Sequence, residues 1–118
     1  VYGDPRGMAR PWQLDPVPLL IAPEEAAAVR AGLIHHARLL ELIARDLYGP
    51  QRLLRERLVP PELVYANPGF LRPCHGLELP GKRYLHLYAC NLGRGADGRW
   101  TVLGDRTQAP SGAGYALE

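Results

Sequence analysis

The stretch VLGDRTQAPSGAG, near the end of the chain, carries the residues best suited to chemistry. A β-like run reaches Gly104, Asp105 and Arg106, and a turn containing Ser111 and Gly112 follows. Turns of this kind after a strand bind phosphates or metal ions in many proteins. Because strand side chains alternate, Gly104 and Arg106 point to one face and Asp105 to the other. The first of these faces has no side-chain oxygen, so it does not suit a hard cation such as Mg²⁺.

Familiar phosphate and nucleophile motifs are absent from this stretch. It contains neither the Gly-Lys-Ser/Thr of a P-loop nor G-x-G-x-x-G. Ser111 is the only serine of the chain, and it lies in APSGAG rather than in a G-x-S-x-G elbow. The pattern leaves open a nucleotide site, the remains of one, or an ordinary turn in which Ser111 caps the backbone.

A second set of residues has the side-chain types that bind zinc, namely Cys74, His75, His86 and Cys90. Their spacing argues against one shared ion, because His86 and Cys90 would lie about 13 Å apart along a strand. Adjacent Cys74 and His75 would rarely both ligate the same metal. We therefore expect no metal site here, and we expect reduced thiols in a cytoplasmic protein.

Two further groups on helical segments are polar enough to bind a ligand. His35 and His36 are neighbours on a helix and face different directions, so a solvated pair is expected. Arg52, Arg55 and Arg57 could contact phosphates, but the leucines and the glutamate between them are typical of an ordinary amphipathic surface helix.

A long amphipathic helix is predicted to begin around Pro23, because proline suits the first turn and Glu24 and Glu25 suit the positive end of the dipole. Gly32 marks either a break or close packing, and Gly49 predicts the stop as a left-handed C′ residue. The apolar stripe of this helix consists of Leu33, Ala37, Leu40, Ala44 and Leu47. Its solvent-facing side carries Arg38, Glu41 and Arg45.

The remaining chain predicts shorter helices and then a hairpin. PQRLLRERL and PPEL suggest brief helical pieces, and RYLHLYACNL and WTVLGD suggest strands joined by a turn at Asp97-Gly98. The fold class is therefore α+β: an extended segment, two to three helices and a C-terminal antiparallel β-hairpin. The expected divisions are a Pro-rich arm at 1–22, helices at 23–66, a loop at 67–82, the hairpin at 83–105 and the Pro-Ser-Gly turn at 106–118.

Composition limits the function classes. At 118 residues, with 47% hydrophobic and 22% charged residues, the chain suits one globular domain. A net charge of +2 does not indicate nucleic acid or membrane partners. We also expect a piece of a larger protein, since the chain starts at Val1 without a methionine and stops abruptly at Glu118.

The order of the motifs resembles the circularly permuted ATP-grasp family. The matching segments are RPWQLDPVP, AGLIHHARLL, DLYGPQRLLRERLVPPEL, YLHLYACNL and DGRWTVLGDRTQAPSGAGYALE. The resemblance covers nearly the whole chain, and its most specific part is the final block. This family is similar to glutathionylspermidine synthetase and related carboxylate–amine ligases. The resemblance implies an N-terminal fragment of a larger ATP-grasp-like fold, on a divergent branch.

The divergence concerns the metal ligands. Family members typically read Leu-Glu-Asp-Asn followed by a Pro-Ser-Gly turn, and the Glu and Asn oxygens bind Mg²⁺ beneath the ATP phosphates. Laid on this chain, the pattern places Gly104 at the glutamate, Asp105 at the aspartate and Arg106 at the asparagine. Leu19 likewise stands where an arginine is usual, and His35-His36 stand where Gln-Arg is usual.

The resemblance implies an ATP-dependent ligase that forms an acyl phosphate from a carboxylate and transfers it to an amine. ATP is then the expected cofactor, whereas Mg²⁺ is not expected at Gly104 and Arg106. The implied site residues are Asp105 and Arg106 for catalysis; Arg106, Ser111 and Gly112 on the phosphate side; and Arg10 and Asp15 on the substrate side. A local salt bridge or turn cap is the favoured explanation for Arg10 and Asp15.

Two other functions stay open at this point. The first is a non-catalytic ATP-grasp-like binding or assembly module, which the loss of metal ligands favours. The second is a free-standing α+β interaction domain. The expected partners are the remainder of the same polypeptide and, for the fragment, a second copy that pairs or swaps, because a lone hairpin leaves its edges unsatisfied.

Overall fold

The structure, a computed structural model, describes residues 16–108, 110–112 and 114. The elements, in chain order, are α1 Pro23–Leu47, α2 Arg52–Arg55, α3 Pro61–Tyr65, two short 3₁₀ turns Arg72–Cys74 and Pro80–Lys82, and the strands β1 Ala89–Arg94 and β2 Trp100–Arg106. A helical first half thus precedes a C-terminal antiparallel hairpin, which confirms the predicted α+β class. Of the predicted Pro-rich arm, residues 16–22 are described, and they are irregular and exposed.

Helix α1 is the longest element, and its apolar stripe is half-buried along its length. The helix runs through Gly32 without a break, and a Cβ added at Gly32 would have no heavy atom within 4 Å. It ends before Gly49 as predicted, but not through a left-handed glycine. A Cβ at Gly49 would lie 2.6 Å from the carbonyl oxygen of Arg45. The left-handed residue is instead Gln51, with φ of 54°.

Helix α2 begins where a carboxylate from α1 satisfies its first amides. Asp46 Oδ1 accepts a hydrogen bond from the Arg52 amide at 3.0 Å, and Oδ2 accepts one from the Leu53 amide at 2.9 Å. The best-buried apolar side chains of the described residues follow in α2 and α3: Leu54 is 8% exposed and Val64 is 7% exposed. The structure therefore has only a small core at this end.

An aromatic cluster holds the loop at 67–82 against the end of α1. Tyr48 stacks on Phe70 with ring centroids 4.9 Å apart and on Tyr84 with centroids 5.8 Å apart. The Leu71 amide donates a hydrogen bond to the Tyr48 hydroxyl, and Tyr65 meets Phe70 edge-on. Tyr48 thus anchors the loop that leads to the hairpin.

Strand β1 begins later than the aromatic-rich pattern predicted. The Glu41 carboxylate accepts hydrogen bonds from the amides of Tyr84 and Leu85, at 3.1 and 2.6 Å. These amides are therefore bonded to a helix side chain rather than to a strand, and the ladder starts only at Ala89. Two expectations are corrected: Glu41 was placed on the solvent-facing side of α1 but accepts hydrogen bonds from the loop, and the strand predicted from Arg83 starts at Ala89.

Large apolar side chains remain exposed over much of the described chain. On α1, Leu39 is 50% exposed and Leu42 is 59% exposed, and on β2 Leu103 is 71% exposed. This is more uncovered leucine surface than a small folded domain usually presents. Among the described residues, no helix is long and apolar enough to cross a membrane.

Candidate functional site

The carboxylate of Asp105, near the end of β2, joins the hairpin to α1. Its Oδ1 accepts a hydrogen bond from the Tyr88 hydroxyl at 2.7 Å, and His36 Nε2 lies 3.0 Å from the same oxygen. About a third of the His36 and Asp105 side chains is exposed, at 33% and 34%. Asp105 is therefore both fixed by protein contacts and open to a ligand.

A β-bulge directs Asp105 toward the helix. Asn91 pairs with Gly104 and Leu92 pairs with Val102, so Leu103 is an extra residue in β2. Before the bulge, Trp100 and Val102 face α1, as the hydrogen bond from Trp100 to α1 shows. Since a bulge reverses the alternation of side chains, Asp105 reaches α1 instead of facing away.

The two contacts to Asp105 differ in how far they fix a proton. The Tyr88 hydroxyl donates to the carboxylate, whereas the role of His36 Nε2 depends on which ring nitrogen carries the proton. Burial, together with the hydrogen bond to Asp105, raises the pKa of the Tyr88 hydroxyl well above its ordinary value of 10.0. Tyr88 therefore stays a neutral donor to Asp105 over the whole physiological range.

The expectation of a solvated His35-His36 pair is half wrong. His35 is exposed, but His36 is half-buried, contacts Asp105 and lies with its ring centroid 6.0 Å from that of Tyr88. Sequence reasoning missed this contact because His36 and Asp105 are 69 residues apart. No local spacing signals a pairing at that separation.

The positions on either side of Asp105 are open. A Cβ at Gly104 would have no heavy atom within 4 Å, so an added methyl group meets open space there. Arg106 is exposed, and no ion pair joins it to a carboxylate in the described part of the chain. The local side chains do not fit a magnesium ion: Gly104 lacks a side-chain oxygen, Arg106 is cationic, and Asp105 Oδ1 already contacts Tyr88 and His36.

The other predicted site residues are only partly described. Ser111 and Gly112 lie in a turn after β2, both exposed, and Gly112 has a φ of 88° that favours glycine. The structure does not bring the Ser111 hydroxyl into a hydrogen bond with any described residue. Arg10 and Asp15 lie outside the described residues, so their prediction stays a prediction.

The cysteines and histidines do not converge. Cys74 and Cys90 are free thiols. His75 Nε2 lies 2.9 Å from the carbonyl oxygen of Gly49, which ties the loop to the end of α1. Within residues 16–108, 110–112 and 114, no three His, Cys, Asp or Glu side chains are grouped as a metal site would require.

The segment GRGADG spans the end of β1 and the hairpin turn, and its glycines have the G-x-G-x-x-G spacing of dinucleotide sites. A Cβ at Gly93 would meet Leu103 at 2.9 Å, and one at Gly95 would meet Asp97 Oδ1 at 2.7 Å. The turn closes on itself through the Gly95 amide and the Arg99 carbonyl. It therefore lacks the strand–turn–helix setting of a dinucleotide site, and the predicted Asp97-Gly98 turn is confirmed, with φ of 77° at Gly98.

The far end of the hairpin is attached to the start of α1 by a second polar contact. Trp100 Nε1 donates a hydrogen bond to Glu25 Oε1 at 2.8 Å, and Arg94 Nη2 lies 3.0 Å from the same oxygen. Glu25 was expected to act on the helix dipole alone. The hairpin is thus held to α1 at two places, near Glu25 and near His36.

Several proteins resemble this chain in sequence across most of its length. The uncharacterized protein Rv2567 of Mycobacterium tuberculosis is 47% identical over 107 residues, which cover 91% of this chain and 12% of that protein. The uncharacterized protein sll0335 of Synechocystis is 36% identical over 118 residues, which cover 100% of this chain and 24% of that protein. A Frankia alni protein named "Putative glutamate--cysteine ligase 2-3" is 38% identical over 120 residues, or 100% of this chain and 13% of that protein.

The chain spans only 12 to 24% of the length of these relatives. No solved structure matches it. The sequence profile described as circularly permuted ATP-grasp type 2 matches residues 18–118. Because this match covers most of the chain, the chain belongs to the circularly permuted ATP-grasp type 2 family.

Proposed function

We propose that the chain forms part of an ATP-dependent ligase that joins a carboxylate to an amine through an acyl phosphate. Membership of the family over residues 18–118 supports this proposal. The name of the Frankia alni relative, which describes a glutamate–cysteine ligase, supports the reaction class. ATP is the cofactor that such chemistry requires, since it supplies the phosphoryl group of the acyl phosphate.

The end of β2 would contact the nucleotide through a cationic side chain rather than through a metal. Arg106 is exposed, and a guanidinium binds phosphate oxygens in a fork geometry. The Ser111 hydroxyl and the Gly112 backbone, in the turn that follows, could donate further hydrogen bonds to the phosphates. A single charge on Arg106 is weaker than Mg²⁺ and cannot bridge two phosphates as the metal does.

Asp105 has a positioning role in this proposal. Its Oδ1 is held by Tyr88 and His36, so the carboxylate fixes the last residues of β2 relative to α1. Arg106, the next residue, is thereby held at a defined place while its own side chain stays free to bind. The observation that carries the proposal is a contrast between two neighbours. The Asp105 carboxylate is held by Tyr88 and His36, whereas the exposed Arg106 side chain has no ion-pair partner among the described residues.

Nucleotide binding by Arg106→Asn tests the proposal. We expect the full-length protein to bind ATP in the presence of a metal chelator, and Arg106→Asn to raise the Kd about tenfold, as loss of a charge-assisted contact does. The matched control is Arg99→Asn in the hairpin turn, where the arginine forms an ion pair with Asp97. Equal affinities of the wild type and Arg106→Asn would contradict the proposed contact.

A second function, an assembly module, is favoured by the exposed leucines. Leu39 and Leu42 lie on α1 and Leu63 on α3, each at least half exposed. Such a surface suits contact with the remainder of the same polypeptide, with a second copy as the other candidate partner. On this account the chain stabilises neighbouring domains and does not act on ATP.

Cysteine labelling tests the assembly role. In the full-length protein, Leu42→Cys is expected to react with a thiol reagent more slowly than Glu62→Cys, because Glu62 is an exposed charged residue outside the apolar surface of α1. Mass spectrometry of the labelled peptides separates these sites from the natural thiols. If Leu42→Cys and Glu62→Cys react at the same rate, α1 is uncovered and the assembly role is wrong.

A further inference from the structure

A groove with a strongly basic rim lies between α1 and the segment that leads into β1. Its volume is about 490 Å³. The apolar floor of the groove includes Ala37 and Leu85. Four basic side chains also line it, namely Arg38, Arg45, Lys82 and Arg83. We call this the basic groove. Tyr88, the residue that donates to Asp105, also lines it, so the groove opens beside the site at the end of β2.

The positive charge of the basic groove is not balanced locally. Glu41 is the only carboxylate among its described lining residues. That carboxylate already accepts hydrogen bonds from the Tyr84 and Leu85 amides. No ion pair joins Arg38, Arg45, Lys82 or Arg83 to a described carboxylate. The groove lining thus carries four cationic side chains and one carboxylate that is already hydrogen-bonded. This local excess of positive charge is larger than the net charge of +2 of the whole chain, so positive charge is concentrated at the groove.

The cations are spread along a line rather than focused on one point. Arg38 and Arg45 are seven residues apart, which places them on the same face of α1 about 10.5 Å apart along its axis. Lys82 and Arg83 form the opposite wall. An extended peptide rises about 3.3 Å per residue, so a peptide of about four residues spans the same distance. An inorganic phosphate is too short to do so, and it gains nothing from the apolar floor.

We propose that the basic groove binds a short acidic peptide in an extended conformation. Charge complementarity selects its carboxylates, and the apolar floor formed by Ala37 and Leu85 receives its aliphatic side-chain carbons. Because Tyr88 connects the groove to Asp105, the peptide lies with one end near the end of β2. The assignment of this peptide as the carboxylate substrate rests on the proposed ligase function, whereas the binding itself does not.

Fluorescence anisotropy with a labelled tetraglutamate peptide tests the inference. The full-length protein is used at low ionic strength and without nucleotide or metal. Arg38→Gln/Arg45→Gln and Lys82→Gln/Arg83→Gln are each expected to raise the Kd about tenfold, through loss of two exposed charge contacts. The matched control, Arg55→Gln/Arg57→Gln, removes the same charge from an exposed surface outside the groove and is expected to leave the Kd within about twofold.

The choice of peptide and competitor makes each outcome decisive. Added salt is expected to weaken binding, tetraglutamine is expected not to bind, and tripolyphosphate is expected to compete poorly. Equal losses in the groove variants and the control would show general electrostatic attraction and overturn the groove. Tight binding of tripolyphosphate without tetraglutamate binding would overturn the peptide assignment. A protein that binds the peptide but not ATP would retain the groove and refute only the ligase.

Discussion

At the residue scale, Asp105 holds the end of β2 against α1, because its Oδ1 contacts both the Tyr88 hydroxyl and His36 Nε2. Neither partner is deeply buried, so each bond contributes modestly. Together they link a strand to a helix that is distant in the chain. The link gives a specific place at which removal of a single hydroxyl group has a measurable local effect.

Replacement of Tyr88 by phenylalanine removes one of these two bonds. We expect the opening free energy of the β2 amides to fall by about 1 kcal/mol, the net contribution of a typical hydrogen bond. Hydrogen exchange measured by mass spectrometry reports this change locally. Tyr65→Phe, which removes a hydroxyl that bonds Gln51 away from the hairpin, serves as the control. Unchanged β2 exchange in Tyr88→Phe would show that the bond does not stabilise the strand.

The raised pKa of Tyr88 predicts an alkaline dependence. In the unfolded chain Tyr88 ionises near its ordinary pKa of 10.0, whereas in the folded chain its pKa is higher. The hydroxyl therefore contributes stability that is complete below pH 10 and is lost as the pH rises above it toward the folded pKa. An absorbance titration of tyrosine should show one fewer late-titrating group in Tyr88→Phe. Ionisation of Tyr88 together with the exposed tyrosines would contradict this prediction.

The residue types of this site were visible in the sequence, but their pairing was not. Asp105 and Arg106 stood out because a β-like run ends there. His36 looked like one half of a solvated pair, since helical spacing reports only on neighbours within one or two turns. The direction of Asp105 depends on the bulge at Leu103, and an alternating pattern cannot reveal an extra residue.

At the element scale, packing distinguishes two glycines, one within α1 and one just after its end. Gly32 lies in mid-helix, where an added Cβ meets open space. Gly49 follows the helix, where an added Cβ would lie 2.6 Å from the Arg45 carbonyl oxygen. The same substitution should therefore change stability in opposite directions at the two positions.

Gly32→Ala is expected to stabilise α1 by about 0.5–1 kcal/mol, because alanine has the higher helix propensity. Gly49→Ala is expected to destabilise it by about 1–3 kcal/mol, because the new methyl group overpacks against the backbone. Hydrogen exchange across α1 in the two variants measures both effects. Stabilisation by both substitutions would show that Gly49 is not needed for the close approach that the structure describes.

Glu41 sets where β1 begins, so Glu41→Gln is expected to loosen the segment before the strand. A neutral amide is a weaker acceptor than the carboxylate for the Tyr84 and Leu85 amides, and the local loss is about 1 kcal/mol. Faster exchange of these amides in Glu41→Gln, with no change in Glu62→Gln, is the expected result. Equal exchange in both variants would remove Glu41 as the reason for the late start of β1.

Helix existence was predictable from periodicity, and strand boundaries were not. The stripe from Leu33 to Leu47 repeats at helical spacing, so α1 follows from local patterning alone. The aromatic run before β1 alternates like a strand. Its first amides instead bond to Glu41, a residue more than forty positions earlier, and no local pattern contains that competition.

At the scale of the whole molecule, the small share of each relative that the chain spans is consistent with the large apolar surface that the described residues expose. The chain spans 12 to 24% of the length of its relatives, and the described residues bury only Leu54 and Val64 well. The amount of covered surface could not be predicted from composition, because 47% hydrophobic content is equally compatible with a closed core. The part that we propose for this chain in a ligase is limited to the end of β2 and the groove beside it.

The central claim is that the end of β2 contacts nucleotide without a magnesium ion held by its own side chains. The most direct measurement is ATP affinity of the full-length protein, with and without Mg²⁺, compared with Gly104→Glu/Arg106→Asn. The Cβ of the new glutamate meets open space at position 104, and the variant supplies two side-chain oxygens of the kind that Mg²⁺ prefers.

We expect Mg²⁺ to improve ATP binding by the variant about tenfold more than by the wild type, as a newly formed metal contact would. An equal magnesium effect in the two proteins, or magnesium-dependent ATP turnover by the wild type that the double substitution leaves unchanged, would contradict the account.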